Sequence, residues 1–168
     1  MKTLKAFSGP AMAICVVVMS CTPTANFQDR NRAVILKANE ELFTKGNLQF
    51  ADEAFTDDYS FPGMDLKGPE LVKHVVTQLK TAFPDLQYKV ETTVAEGDLV
   101  AWTRTHTGTL KADFMGYKAT GKVMTWNEIT ISRFTDDGRI AAEIGQSDFL
   151  QNFQHSTDTT ATETLISL

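Results

Sequence analysis

Four residues in the second half of the chain combine titratable chemistry with a readable direction: His106, Glu128, Glu143 and Asp148. The first three sit in stretches whose polar–apolar alternation reads as strand, where successive side chains point to opposite faces. Trp102, Arg104 and His106 therefore share one face of the run Leu99 to Thr109, and Thr103, Thr105 and Thr107 share the other. In Val123 to Phe134, Trp126, Glu128 and Thr130 lie together, opposite Asn127, Ile129 and Ile131. Glu143 and Gly145 share a face of the last strand, with Ile144 behind them. The isoleucines behind Glu128 leave two arrangements open. Either the sheet is buried on both faces with Glu128 at solvent, or Glu128 points into a cavity.

The cavity arrangement makes Glu128 the candidate base. Burial beside Trp126 penalises the charged carboxylate and raises its pKa towards the range of a general base at neutral pH. Glu143, facing the same cavity, would add a second carboxyl and drive the two titrations apart. His106 has an intrinsic pKa suited to proton transfer, with hydrogen-bonded filler on a threonine-rich strand as the alternative. Asp148 opens the final helical stretch, which suits an N-cap as well as an acid/base group. Arg104 and Trp126 would place or stabilise a substrate. Phe61, Trp102 and Trp126 are either core aromatics or walls of an aromatic ligand site. His74, within a helix, and His155, near the end, are expected at solvent.

Other chemistries find no motif. The chain has no His-Glu-x-x-His, no paired cysteines, no calcium-type carboxylate spacing, no phosphate-cradling glycine loop and no Gly-x-Ser-x-Gly elbow. Neither a metal nor an organic cofactor is expected.

The elements that must hold these side chains follow from periodicity. Asp29 to Lys45 carries a helical stripe of Ile35, Ala38 and Leu42 that stops at Gly46-Asn47. Leu48 to Phe55 repeats a shorter helical pattern, with Asn47 as its N-cap, and Tyr59 to Phe61 is briefly extended. Pro69 opens a third helix that presents Leu71, Val75 and Leu79, with Val72 and Val76 beside them, and Phe83-Pro84 ends it. After Asp85 the chain reads as strand: Leu86 to Val94, the turn Glu96-Gly97-Asp98, Leu99 to Thr109, Val123 to Phe134 and Ile140 to Gln146. A short helix from Asp148 to Phe153 follows, then a threonine-rich tail over 155–168 with no period. Helices first and a sheet afterwards give an α+β fold, three N-terminal helices packed on a curved, mostly antiparallel sheet.

One stretch carries a resemblance. Gly108-Thr109, Asp113 to Gly116, Thr120 to Lys122, Arg133-Phe134 and Asp137 to Ile140 resemble the hallmark segments of the SnoaL-like polyketide cyclases, within the nuclear-transport-factor-two-like superfamily. The resemblance implies a cone-shaped fold whose open mouth takes a small hydrophobic molecule. It also implies an acid/base Asp on the last strand with a His on the preceding one. Anchored on Arg133-Phe134 and Asp148-Phe149, those positions fall on Gly145 and Thr130, neither of which exchanges a proton near neutral pH. Gly145 would then leave extra room where a carboxylate stands in the cyclases. The likeness carries a frame, and a fold of this kind hosts many functions.

The N-terminus reads as an export signal. Lys2 and Lys5 precede an apolar run from Ala11 to Met19, too short for the ~20 residues of a membrane span. Val18-Met19-Ser20-Cys21 resembles a bacterial lipobox, which implies cleavage before Cys21 and acylation of that cysteine. An ordinary signal peptide cut nearby and a retained apolar leader are the alternatives. The organisation expected is a signal over 1–20, a tether over 21–28, one domain over 29–154 and the tail. Cleavage would remove Cys15, leaving no free thiol and no disulfide, and would move the formal charge from −5 to −7 by loss of Lys2 and Lys5. An acidic domain without a basic stripe is a poor partner for nucleic acid, and charge alone would not hold it to anionic lipid.

Two functions of different class remain. One is a cofactor-free enzyme of cyclase, isomerase or hydrolase type, acting on a small hydrophobic carbonyl compound. The other is a lipid-anchored module of the bacterial cell envelope that binds a small hydrophobic molecule without turning it over. A homodimer is the fold-level expectation for assembly.

Overall fold

The computed structural model describes residues 24–157, with side chains over 27–154. The signal segment, Cys21 and all of the tail beyond Thr157 lie outside the described residues. Helix α1 (Thr24–Ala38) runs directly into a π-helical segment (Asn39–Lys45) that ends at Gly46. Helical backbone thus begins at Thr24, inside the stretch read as tether, because its first turns carry none of the apolar stripe that betrays the rest. The helix widens where the Asn39 side-chain amide donates to the Ile35 carbonyl at 2.9 Å, competing with the backbone for that acceptor. Such wide turns are frequently found at functional sites.

Helix α2 (Phe50–Ala54) is shorter than the periodicity suggests, because Phe55 turns extended and opens strand β1 (Phe55–Ser60). Asn47 does not cap it. Its amide donates to Glu41 Oε2 at 3.0 Å instead. Helix α3 (Gly68–Ala82) starts with Pro69 in its first turn. Gly68 has φ +65°, and a Cβ there would lie 2.5 Å from the Asp57 carbonyl oxygen. Only glycine lets α3 close on β1 at this point.

Strands β2 (Gln87–Glu96), β3 (Leu99–Thr109), β4 (Val123–Phe134) and β5 (Ile140–Ser147) follow, and helix α4 (Phe149–Thr157) closes the described chain. The sheet order is β1-β5-β4-β3-β2, antiparallel except for the parallel β1–β5 pair. The four main strands expected are therefore joined by a fifth, β1, which brings Tyr59 beside the far end of the site.

One face of this sheet meets the helices. Ile35, Leu42, Val76, Phe83, Val100 and Leu110 are all at most 1% exposed. Each such burial stabilises the fold by roughly 1.5–3 kcal/mol relative to exposure. The other face is open: Ile129 is 52% exposed, Ile131 38% and Ile144 54%. The arrangement with both sheet faces buried is thereby excluded. Among the described residues no helix is long and apolar enough to cross a membrane.

Candidate functional site

Between the concave sheet face and helices α1 and α3 lies a cavity of about 480 Å³, within the size range of small-molecule sites. Alternation along β3 and β4 aims Trp102, Arg104, His106, Trp126 and Glu128 at it, and β5 adds Glu143 and Gly145. Phe61 joins from the end of β1. The remaining wall is mostly apolar.

Register decides the chemistry. Arg104 stands directly opposite Glu128 across β3 and β4, and His106 opposite Trp126. The guanidinium donates to Glu128 Oε2 from Nη2 at 3.0 Å and from Nε at 3.3 Å, and to Asn39 Oδ1 from Nη1 at 2.9 Å. It also lies over the rings of Phe43 and Trp102, 4.5 and 5.0 Å from their centroids. His106 Nε2 is 3.1 Å from the same Glu128 oxygen, and Thr130 Oγ1 donates to the other at 3.0 Å. The His106 ring stacks on Trp126 at 4.7 Å and 7°.

These partners reverse the expectation for Glu128. Burial does push its pKa up, but the Arg104 charge and the His106 hydrogen bond outweigh that, and the carboxyl is held well below its ordinary range. A carboxylate so paired is a weak proton acceptor. Burial lowers the pKa of His106 despite the Glu128 hydrogen bond. A neutral ring then donates Nε2–H to the carboxylate, which fixes the tautomer. Its Nδ1 is buried without a hydrogen-bond partner.

Glu143 is the contrasting carboxyl. Tyr59 donates its hydroxyl to Oε2 at 2.8 Å and Ser132 donates to Oε1 at 2.5 Å, while Ser132 Oγ itself accepts from Trp102 Nε1 at 2.8 Å. All three neighbours are uncharged. Burial raises the Glu143 pKa, the two hydroxyl bonds and the more distant Arg104 offsetting it only in part. Tyr59 is itself pushed far up, by burial first and then by the Glu143 charge, so it remains a donor.

Two expected site residues stand elsewhere. Thr130 faces inward but is 2% exposed and forms no part of the cavity wall. It sits behind Glu128 as a hydrogen-bond donor. Asp148 does not reach the cavity: its carboxylate accepts from the Asn127 backbone N at 2.6 Å and from Asn127 Nδ2 at 3.0 Å. It is not the side-chain cap of α4 either, since Ser147 Oγ accepts from the Phe149 N at 3.2 Å. Asp148→Ala should cost about 0.5–1 kcal/mol in urea unfolding, the net scale of solvent-accessible hydrogen bonds. Ligand affinity should stay unchanged in calorimetry, and a large loss there would return Asp148 to the site. His74 is exposed as expected, and the side chain of His155 lies outside the described ones.

Gly145 leaves less room than expected. It pairs directly with Thr130 across β4 and β5. A Cβ on it would lie 3.0 Å from the Ile129 carbonyl oxygen, 3.1 Å from Thr130 Oγ1 and 3.6 Å from Phe61 Cζ. The Ile129 carbonyl and the Thr130 hydroxyl crowd the first side-chain carbon, while the Phe61 ring lies at ordinary contact distance. Asn39, Phe43, Tyr59 and Ser132 are site residues that sequence reasoning missed, although alternation places Ser132 on the face of Trp126, Glu128 and Thr130, and Tyr59 on that of Phe61.

At the cavity's open side the β3–β4 connection folds into a tight turn. Phe114 and Tyr117 exchange backbone hydrogen bonds at 2.9 Å in each direction. Met115 (φ +50°) and Gly116 (φ +84°) between them both take left-handed backbone. Such turns favour Asn-Gly, and a methionine in that conformation carries about 1 kcal/mol or more of strain. Among the described residues no three of His, Cys, Asp and Glu form a group able to hold a metal.

The sequence pattern of the SnoaL-like polyketide cyclases matches residues 33–155. The chain belongs to that family. No curated protein matches it. Among solved structures it is similar to a candidate polyketide cyclase from Acidithiobacillus ferrooxidans, with 25% identity, a TM-score of 0.64 and coverage of 82% of this chain and 96% of that one. It is also similar to IdmH, a candidate polyketide cyclase from Streptomyces antibioticus, with 27% identity, a TM-score of 0.63 and coverage of 75% and 97%. AclR, a candidate hydroxylase from Streptomyces galilaeus, shares the fold at 24% identity and a TM-score of 0.64, covering 77% and 85%. The cone fold of this SnoaL-like chain, with its small-molecule cavity, thus has family precedent. The reaction has to be argued from the site itself.

Proposed function

We propose that this SnoaL-like protein binds one small, largely apolar carbonyl compound in the cavity and moves a proton on it with Glu143, without a cofactor. The observation that carries the reading is the pair of carboxyls on adjacent strands with opposite surroundings. Glu128 faces a guanidinium and an imidazole, whereas Glu143 faces only hydroxyls and burial. Environments that drive two carboxyls apart assign their roles. Glu128 stays ionised and holds Arg104 and His106 in place. Glu143 is the group that exchanges a proton, the step common to cyclisation and isomerisation next to a carbonyl. Arg104, on the same wall, favours negative charge developing on the substrate oxygen.

A direct test is hydrogen–deuterium exchange at the carbon beside the carbonyl of small aromatic ketones in heavy water, followed by NMR. Protein-dependent exchange supports proton transfer. Tight binding of the same ketones without exchange would move the chain to the second reading, a non-catalytic binding module. That reading is supported by threonine and glycine at the paired positions where the family resemblance implies an acid/base pair.

The chain is further proposed to be exported and held to a bacterial membrane by lipid on Cys21. The support is Val18-Met19-Ser20-Cys21 behind an apolar run. Cys21→Ser should block processing or release the protein from membrane fractions. Unchanged fractionation and unchanged mass would refute it.

A further inference from the structure

Met115 combines three properties that rarely coincide. It is 68% exposed, it lies in the cavity lining, and it occupies left-handed backbone that methionine disfavours. The turn that carries it is not loose. Phe114 packs edge-on against Phe83 at 5.7 Å and Phe149 at 5.4 Å, and Tyr117 lies 4.4 Å from Phe153. The aromatic clamp on α4 therefore holds the strained residue in one place at the opening. Two further exposed apolar side chains line the same cavity: Met64, 39% exposed, from the segment after β1, and Leu150, 44% exposed, from α4. All three are exposed lining residues, as are the polar Gln78, Gln146 and Ser147, whereas Arg104 and Glu143 are more deeply placed on the strands.

We infer that Met115, with Met64 and Leu150, forms an apolar gate that grips the outer part of the bound molecule. The inference rests on the small-molecule reading above and adds a property of the ligand. The molecule reaches from the carboxyl-bearing wall to the mouth, and its outer end is apolar. Methionine suits this task because its unbranched, polarisable side chain adapts to varied apolar shapes. A compact ligand confined to the inner chamber would leave the gate with nothing to bind, and the strain at position 115 without a use.

The test uses Nile red, an uncharged apolar dye, titrated into the purified protein and followed by fluorescence, alongside thermal unfolding. Met115→Asn puts into the turn the residue type it favours and removes the apolar contact. Its midpoint should rise by about 2–4 °C, while dye affinity falls roughly tenfold, as expected for the loss of one well-packed apolar contact. Met115→Leu should retain affinity. Ile129→Asn, on the open face of the sheet, should leave dye binding unchanged. Unaltered affinity in Met115→Asn overturns the gate while leaving the cavity reading intact. Loss of binding in Ile129→Asn assigns the dye to the outer face and overturns it as well. An absence of dye binding by the unsubstituted protein overturns both readings.

Discussion

Arg104→Met should destabilise the protein by about 3 kcal/mol in urea unfolding at neutral pH, the lower end of the cost of breaking a buried ion pair by removing one partner. The arginine side chain is 8% exposed and that of Glu128 20%, so the carboxylate left behind cannot recover its hydration by a small rearrangement. Asn39 Oδ1 loses its donor as well. Removing both charges, in Arg104→Met with Glu128→Gln, should restore a good part of the loss, since an uncharged pair carries no unpaired ion. The pH dependence has a fixed sign. Glu128 has a depressed folded-state pKa, so its contribution is present above the ordinary glutamate range and is lost as the pH falls below it. In Arg104→Met the main cause of that depression is gone. The stability gap between the variant and the unsubstituted protein should therefore narrow on acidification, beginning above the ordinary glutamate range, where the buried and unpaired Glu128 of the variant takes up its proton. Equal stability of single and double variants at neutral pH would show that the two groups are not coupled.

Glu143→Gln should remove roughly 10²–10⁴-fold of any proton-transfer rate, the usual span for a general acid or base, while ligand affinity changes little. Stability should move the other way. Glu143 has a raised folded-state pKa, so its ionisation opposes folding increasingly as the pH rises through the ordinary glutamate range and beyond. The glutamine variant escapes that penalty. Its midpoint should gain on that of the unsubstituted protein as the pH rises, against the cost of the one hydroxyl, of Tyr59 or Ser132, that the amide nitrogen cannot accept. A site residue that weakens the fold where it serves is the common trade between stability and activity. Turnover unaffected by the change would remove Glu143 from the mechanism. Equal losses of turnover and affinity would leave it a ligand-holding group only.

Much of the fold is legible because helix and strand periods are strong in this chain. The stripe from Leu71 to Leu79 and the alternation along β3 and β4 locate their elements and faces without any tertiary knowledge. The same alternation put Trp102, Arg104, His106, Trp126 and Glu128 on one wall, where they stand. Register is what a single sequence does not encode so openly. Arg104 faces Glu128 across two strands, and that pairing turned an expected weak acid into a strong one. Tyr59 reaches Glu143 through a parallel pairing of β1 with β5, 84 residues apart along the chain. Asn39 reaches Arg104 from a helix whose widening depends on its own side chain. Asp148 misled because a helix start offers an acid two uses, and the Asn127 backbone supplied a third.

Gly145 makes an acidic side chain hard to introduce on this part of β5. Introducing a carboxylate there by one substitution would press its first carbon against the Ile129 carbonyl and the Thr130 hydroxyl. Placing an imidazole at 130 alone would force a larger ring into a position with 2% exposure and strip Glu128 of a donor. Each single step starts from a crowded or buried position, so each is expected to destabilise the fold. The two positions face one another across β4 and β5, so a larger side chain at either one has to be accommodated by the other.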